Sequence, residues 1–273
     1  MLRKWARHTN FDELQHLVIG GGQQYRTCGL TSEALEWIAR NNLFPNLKTL
    51  LVNINRNDDY EEKPHYIENA ISFFQAITSL EELTMNGPME SQMIEAILMQ
   101  HGPTLRRLSL EPSEALSNTR VRREIPMTFT EDQILQIQAL CPVLEKLTIT
   151  VMRDKSSASE TVIYKCFSKM ESLRFLFLTL DCANWRIGRD PTYNVQFEGD
   201  DQKLAWNHSN NIKRGNVKEA LINSTVDEGL ARSIWEMITQ NKTGKRLERL
   251  KLWTRHGGVF AHTDAHPFID MLA

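Results

Sequence analysis

The chain has 273 residues, 41% hydrophobic and 24% charged, which is enough apolar material to bury a sizeable core and too much for a disordered or low-complexity chain. Its 32 Lys and Arg against 34 Asp and Glu leave a formal charge of -2, so composition predicts no bulk attraction to nucleic acid or to an anionic membrane surface. No apolar run approaches the ~18 residues that a bilayer span requires. Cys28, Cys141, Cys166 and Cys182 are too sparse and irregular for a disulfide framework, which predicts free thiols in a soluble protein of a reducing compartment, cytoplasmic or nuclear.

One short pattern, Leu-x-x-Leu-x-apolar, recurs along the chain and alternates with stretches whose apolar residues fall at helical spacing. The first copy begins at Leu14 (LQHLVI). A helix carrying Leu35, Ile38 and Ala39 follows, with Thr31 or Ser32 as its N-cap. The second copy begins at Leu47 (LKTLLV) and leads to a stripe of Ile67, Ala70, Ile71, Phe74 and Ile77. The third, at Leu80 (LEELTM), precedes Met93, Ile94, Ile97 and Leu98, a stripe that Gly102-Pro103 ends. The fourth begins at Leu105 (LRRLSL), and Thr130-Glu-Asp-Gln133 then forms a capping box ahead of Ile134, Ile137 and Leu140. The fifth and sixth begin at Leu144 (LEKLTI) and Leu173 (LRFLFL). Residues 181–216 break the pattern with Asn, Asp and Gly and scattered Trp185, Tyr193, Phe197 and Trp206, and read as an inserted polar loop. A degenerate copy fits at Val217–Ile222, Asp227 caps a helix carrying Leu230, Ala231, Ile234 and Ile238, and a last copy begins at Leu247 (LERLKL).

The organisation expected is repeats one to six over 1–180, the insert over 181–216, and terminal repeats with a tail over 217–273. Its fold class is α/β, a right-handed solenoid of about eight irregular strand-plus-helix units with a parallel inner sheet and outer helices. No unit can bury its apolar face alone, so each depends on its neighbours.

Within each copy the residues between the inward leucines face away from the helices, on the concave surface, and are candidates to meet a partner. Most are small, polar or charged, as at Thr84, Ser109 and Lys146. Towards the C-terminus the pattern instead exposes Phe175, Phe177, Leu221 and Trp253, with Arg249 and Lys251 beside them, a composition that interfaces favour. Two readings are open: either the 181–216 insert folds over Phe175 and Phe177 and makes them core, or these six residues form a protein-binding patch.

Signals for chemistry are few. His256, His262, Asp264 and His266 have metal-ligand chemistry, and a metal-dependent hydrolase built on them is the alternative from another class, but no predicted element fixes their positions. Gly20-Gly-Gly22 lacks the rest of a phosphate loop, and Gly244-Lys245 lacks the remainder of a P-loop, so both read as turns. Cys141 and Cys166 lie in or beside apolar stripes and read as inert buried thiols. No cofactor is implied and no catalytic residue stands out.

Phe44-Pro-Asn-Leu-Lys-Thr-Leu50 and Cys141-Pro-Val-Leu-Glu-Lys-Leu-Thr-Ile149 resemble the signature of leucine-rich repeat proteins, specifically the irregular repeats of F-box substrate receptors. Ala220–Ile234, followed by Gly244–Leu250, is similar to the C-terminal part of fungal F-box proteins. The resemblance implies a non-enzymatic substrate-recognition region of a ubiquitin ligase receptor, with the substrate held by the repeats. Docking to a Skp-type adaptor would need an upstream F-box, for which the first repeat at Leu14 leaves no room. The other reading within this class is a stand-alone repeat regulator that occludes its partner.

Overall fold

A computed structural model describes residues 2–6, 8–20, 29–41, 43–54, 65–112, 128–184, 186–187, 193–205 and 212–258. Within them a short N-terminal helix α1 (Leu2–Trp5) precedes seven strands: β1 (His16–Ile19), β2 (Thr49–Asn53), β3 (Glu82–Gly87), β4 (Arg107–Pro112), β5 (Lys146–Met152), β6 (Phe175–Asp181) and β7 (Arg249–Arg255). All pair in parallel and lie in chain order across one sheet. Each strand starts two residues after the first leucine of a copy, and the copies align column by column. His16, Thr49, Glu82, Arg107, Lys146, Phe175 and Arg249 form one row.

The connecting helices are α2 (Ser32–Asn41), α3 (Tyr66–Ala76), α4 (Ser91–His101), α5 (Glu131–Leu140), α6 (Ala158–Cys166), α7 (Arg214–Ser224) and α8 (Glu228–Thr239). Two of the expected caps are present. Thr130 and Gln133 complete the capping box of α5, and the Asp227 carboxylate accepts from the Leu230 N–H at the start of α8. Helices and sheet share one core. Leu50, Val52, Leu83, Met85, Leu108, Leu110, Leu147, Ile149, Leu176 and Leu178 meet Leu35, Ile38, Phe73, Phe74, Ile97, Ile137 and Ile234 in it. Alternation along each strand sends the intervening residues to the opposite face, away from the helices.

The residue just before each strand reads Gln15, Lys48, Glu81, Arg106, Glu145, Arg174 and Glu248, an alternation of sign from the second copy onward. Lys48–Glu81 (3.4 Å), Arg106–Glu145 (3.7 Å) and Arg174–Glu248 (2.5 Å) pair across strands, over a continuous ladder of backbone hydrogen bonds between the same positions. Lys245 also donates to Glu145, and its hydrogen bond is the main reason that carboxyl lies below its usual range. Such exposed pairs add little stability, but a strand inserted out of order would set like charges side by side.

His101 closes α4 from within the core. Its Nε2 lies 3.1 Å from the Phe74 carbonyl and its Nδ1 accepts from the Leu80 N–H at 3.3 Å, so the ring is neutral with the proton on Nε2. Burial lowers its pKa from 6.5 to about 4, against the raising effect of backbone contacts at Phe74 and Thr78. A lowered folded pKa means that the unfolded chain takes up the proton first, so this stability is complete above pH 6.5 and is lost as pH falls towards 4. The loss is expected to reach about 3 kcal/mol. Urea unfolding of wild type and His101→Gln at pH values across that window should show the difference between them shrinking by that amount; parallel curves would contradict it.

The structure corrects the sequence reading at 217–222. The eighth strand is absent there and the segment lies inside α7, because Val217, Ala220 and Leu221 are also spaced for a helix. Ala220 packs with Ile187 and Ile212 in a small separate core that Tyr193, Ala205 and Val217 flank. Gly215 lies so close to the Phe197 ring that a Cβ there would meet it at 2.3 Å. The 181–216 insert is thus partly folded with α7, through a bridge between Leu204 and Lys213 and a 3-10 turn at Gly199–Gln202. Among the described residues no helix is long and apolar enough to cross a membrane.

Candidate protein-interaction face

Five of the six candidate residues come together. The repeat register places Lys146, Phe175 and Arg249 side by side on neighbouring strands, then Thr148, Phe177 and Lys251, then Thr150, Thr179 and Trp253. All stand on the face turned away from the helices. Trp253 is 62% exposed, an unusual position for the largest apolar side chain. Phe175 and Phe177 are half-buried, and cations cover their rings. The Lys251 ammonium lies 4.6 Å from the Phe177 centroid, and the Arg174 guanidinium lies 5.3 Å from that of Phe175 while also binding Glu248.

Leu221 does not belong to this face. It sits on α7, 55% exposed beside Ile222, which is 59% exposed. Helix α7 is tied instead to the loops that leave β5 and β6. Asn223 donates to the Arg153 carbonyl (2.8 Å) and accepts from the Lys155 N–H (2.9 Å), and Lys155 pairs with Glu219 (2.9 Å), which raises the Lys155 pKa. The described part of the insert therefore packs with α7, and neither Phe175 nor Phe177 enters a core cluster.

At the end of the same face Asp181, Arg255 and His256 form a cluster. One Asp181 oxygen is 3.2 Å from Arg255 Nε and 3.0 Å from His256 Nδ1, and Ala183 N–H donates to the other. Burial works to raise the Asp181 carboxyl, but the His256 ring, the Ala183 N–H and Arg255 outweigh it and hold it below the usual carboxylate range. Arg255 also donates to the Pro112 carbonyl at the end of β4 (3.3 Å). Of the four metal-like residues, His256 alone is described, and its Nδ1 is spent on Asp181; His262, Asp264 and His266 lie outside the described residues. Among the described residues no group of three or more His, Cys, Asp or Glu is placed to hold a metal ion.

Burial pushes the Cys141 thiol up to about 12 and that of Cys182 up to about 11, and raises Cys166 as well, so none is poised as a nucleophile. Cys28 and the turn expected after Gly20 lie outside the described residues. Gly244 lies at a bend with φ 70°, and the next N–H, that of Lys245, donates to the distant Glu171 carbonyl (2.7 Å).

A second opening lies at the edge of the sheet, where a groove of about 440 Å³ runs between β7 and α8. Leu250, Leu252, Val226 and Trp235 line it and are only half-buried, β7 being the last strand among the described residues. At the opposite end of the strand face Val18 is exposed beside half-buried Leu51, but no Lys or Arg stands on that face of β1 or β2.

Sequence reasoning missed Arg174, which belongs to the outer column rather than to a strand and is visible only when the copies are aligned. Compared with models of known protein families and with curated proteins, the sequence matches none.

Proposed function

We propose that this chain is a non-enzymatic protein-binding module of the leucine-rich-repeat type, a solenoid of strand-plus-helix units that captures its partner on the strand face at β6 and β7. The observation that carries the reading is the cluster of half-buried Phe175 and Phe177 with exposed Trp253, Arg249 and Lys251 on one patch, the anchor chemistry of interface centres. The bond from Arg255 to the Pro112 carbonyl supports a concave face. It crosses three strand spacings, about 14 Å on a flat sheet and farther than an arginine side chain extends. The resemblance to the repeats of F-box receptors supports substrate recognition for a ubiquitin ligase as the use of that face, with recruitment of the ligase resting on a segment other than these repeats.

The double variant Phe177→Ser, Trp253→Ser tests this. It is expected to lose partner capture from lysate while its far-UV circular dichroism stays unchanged, since both side chains lie outside the core. Capture that survives both substitutions removes the patch from the account.

A further inference from the structure

We infer that the partner segment held on this face is an acidic stretch of polypeptide carrying an aromatic or aliphatic anchor, a conclusion that rests on the reading of β6 and β7 as the binding surface. The chain as a whole is slightly acidic, at -2. The patch is the opposite. Lys146, Arg249 and Lys251 surround Phe175 and Phe177, and all three are exposed.

The acids flanking β5, β6 and β7 are already engaged, and exposed Glu111 stands one strand farther on, on β4. Glu248 is bound by Arg174, Glu145 by Lys245 and Arg106, and Asp181 is largely buried against Arg255 and His256. On β4 and β3, Arg107 and Glu82 neutralise each other at 2.5 Å. Among the described residues no acid pairs with Lys146 or Arg249, and Lys251 meets only the π face of Phe177. Among the described residues the surface therefore presents three positive charges without a paired acid, around two half-buried phenyl rings and one exposed indole.

Geometry narrows the partner further. Lys146 and Arg249 are two strand spacings apart, about 10 Å, with Phe175 between them. An extended peptide crossing the strands turns every second side chain to the face, so carboxylates four residues apart, about 13 Å along the chain, straddle that separation within reach of the long Lys and Arg side chains, with the apolar side chain midway between them over the rings. Carboxylates would then meet cations to which no described acid is paired, and the aromatic surface would lose its water.

The test uses the full chain as bait for a displayed library of random peptides about a dozen residues long. Enriched sequences are expected to carry net negative charge and at least one Phe, Trp, Leu or Ile. Their affinity should fall at least about tenfold in the triple variant Lys146→Glu, Arg249→Glu, Lys251→Glu, and severalfold as salt rises from about 50 to about 300 mM. A Gln version of the same triple, with thermal unfolding of each protein, separates charge from damage to the fold and should weaken binding less than the Glu version. Peptides that require Phe177 and Trp253 but show no acidic excess, and that ignore the charge reversal, overturn the acidic partner and leave the binding face standing. Peptides indifferent to both sets of substitutions, or no enrichment above an unrelated bait, overturn both.

Discussion

Replacing Leu147 with Asp is expected to abolish the cooperative unfolding transition of the chain. Leu147 is fully buried in β5, aligned in one inward row between Leu108 of β4 and Leu176 of β6, themselves almost fully buried. Losing the leucine alone costs about 2 to 5 kcal/mol, and stripping water from a carboxyl group adds several more. The sum rivals the ~5–15 kcal/mol that holds a domain folded. Because β5 joins four strands on one side to two on the other, the damage also divides the array, since each unit leans on its neighbours. Urea unfolding followed by circular dichroism should show no transition for Leu147→Asp and a shift worth under about 1.5 kcal/mol for Leu147→Met. An unchanged midpoint in the Asp variant would contradict the placement of this side chain.

Glu160→Gln is expected to cost about 3 to 5 kcal/mol, although it exchanges a single heavy atom. Glu160 is 2% exposed on α6 and receives Arg153 at 2.7 and 2.9 Å, the Tyr164 hydroxyl, and the Asp154 and Ser156 N–H groups. Those backbone donors come from a tight turn in which Lys155 and Ser156 have positive φ, so the carboxylate both neutralises Arg153 and fixes the loop on which α7 is docked. Burial raises the Tyr164 pKa, with the Glu160 charge adding to it, which keeps the phenol a donor. Once Glu160 is neutral, the Arg153 charge stays in the interior with no counter-ion. A double-mutant cycle with Arg153→Met reads this directly: the double variant should be less damaged than the sum of the singles, by more than about 2 kcal/mol. Additive effects would mean that the two charges do not depend on each other.

These two sites also mark what was and was not legible in the sequence. Leu147 is a repeat leucine, and the six-residue pattern around it yields strand, inward face and register together. For that reason Phe175, Phe177, Arg249, Lys251 and Trp253 can be set on one surface before any coordinates are seen. Glu160 and Tyr164 obey no apolar period, so α6 has only a weak helical signal and its buried ion pair has none. At 217–222 six residues satisfy both a strand and a helix pattern, and long-range partners decide. Ala220 finds Ile187 and Ile212, which no local window contains. The sign alternation from Lys48 to Glu248 is written in the sequence, but only a column through aligned repeats displays it.

The central claim is that the strand face at β6 and β7 captures a protein. Its most direct measurement compares quantitative capture by wild type, by Phe177→Ser, Trp253→Ser, and by a control, Thr84→Lys, Ser109→Lys, on the same face at β3 and β4. The account predicts that the same partner is retained by wild type and the control and lost from the first variant, with all three proteins melting alike. Equal capture by all three, or loss only in the β3 and β4 variant, would contradict it.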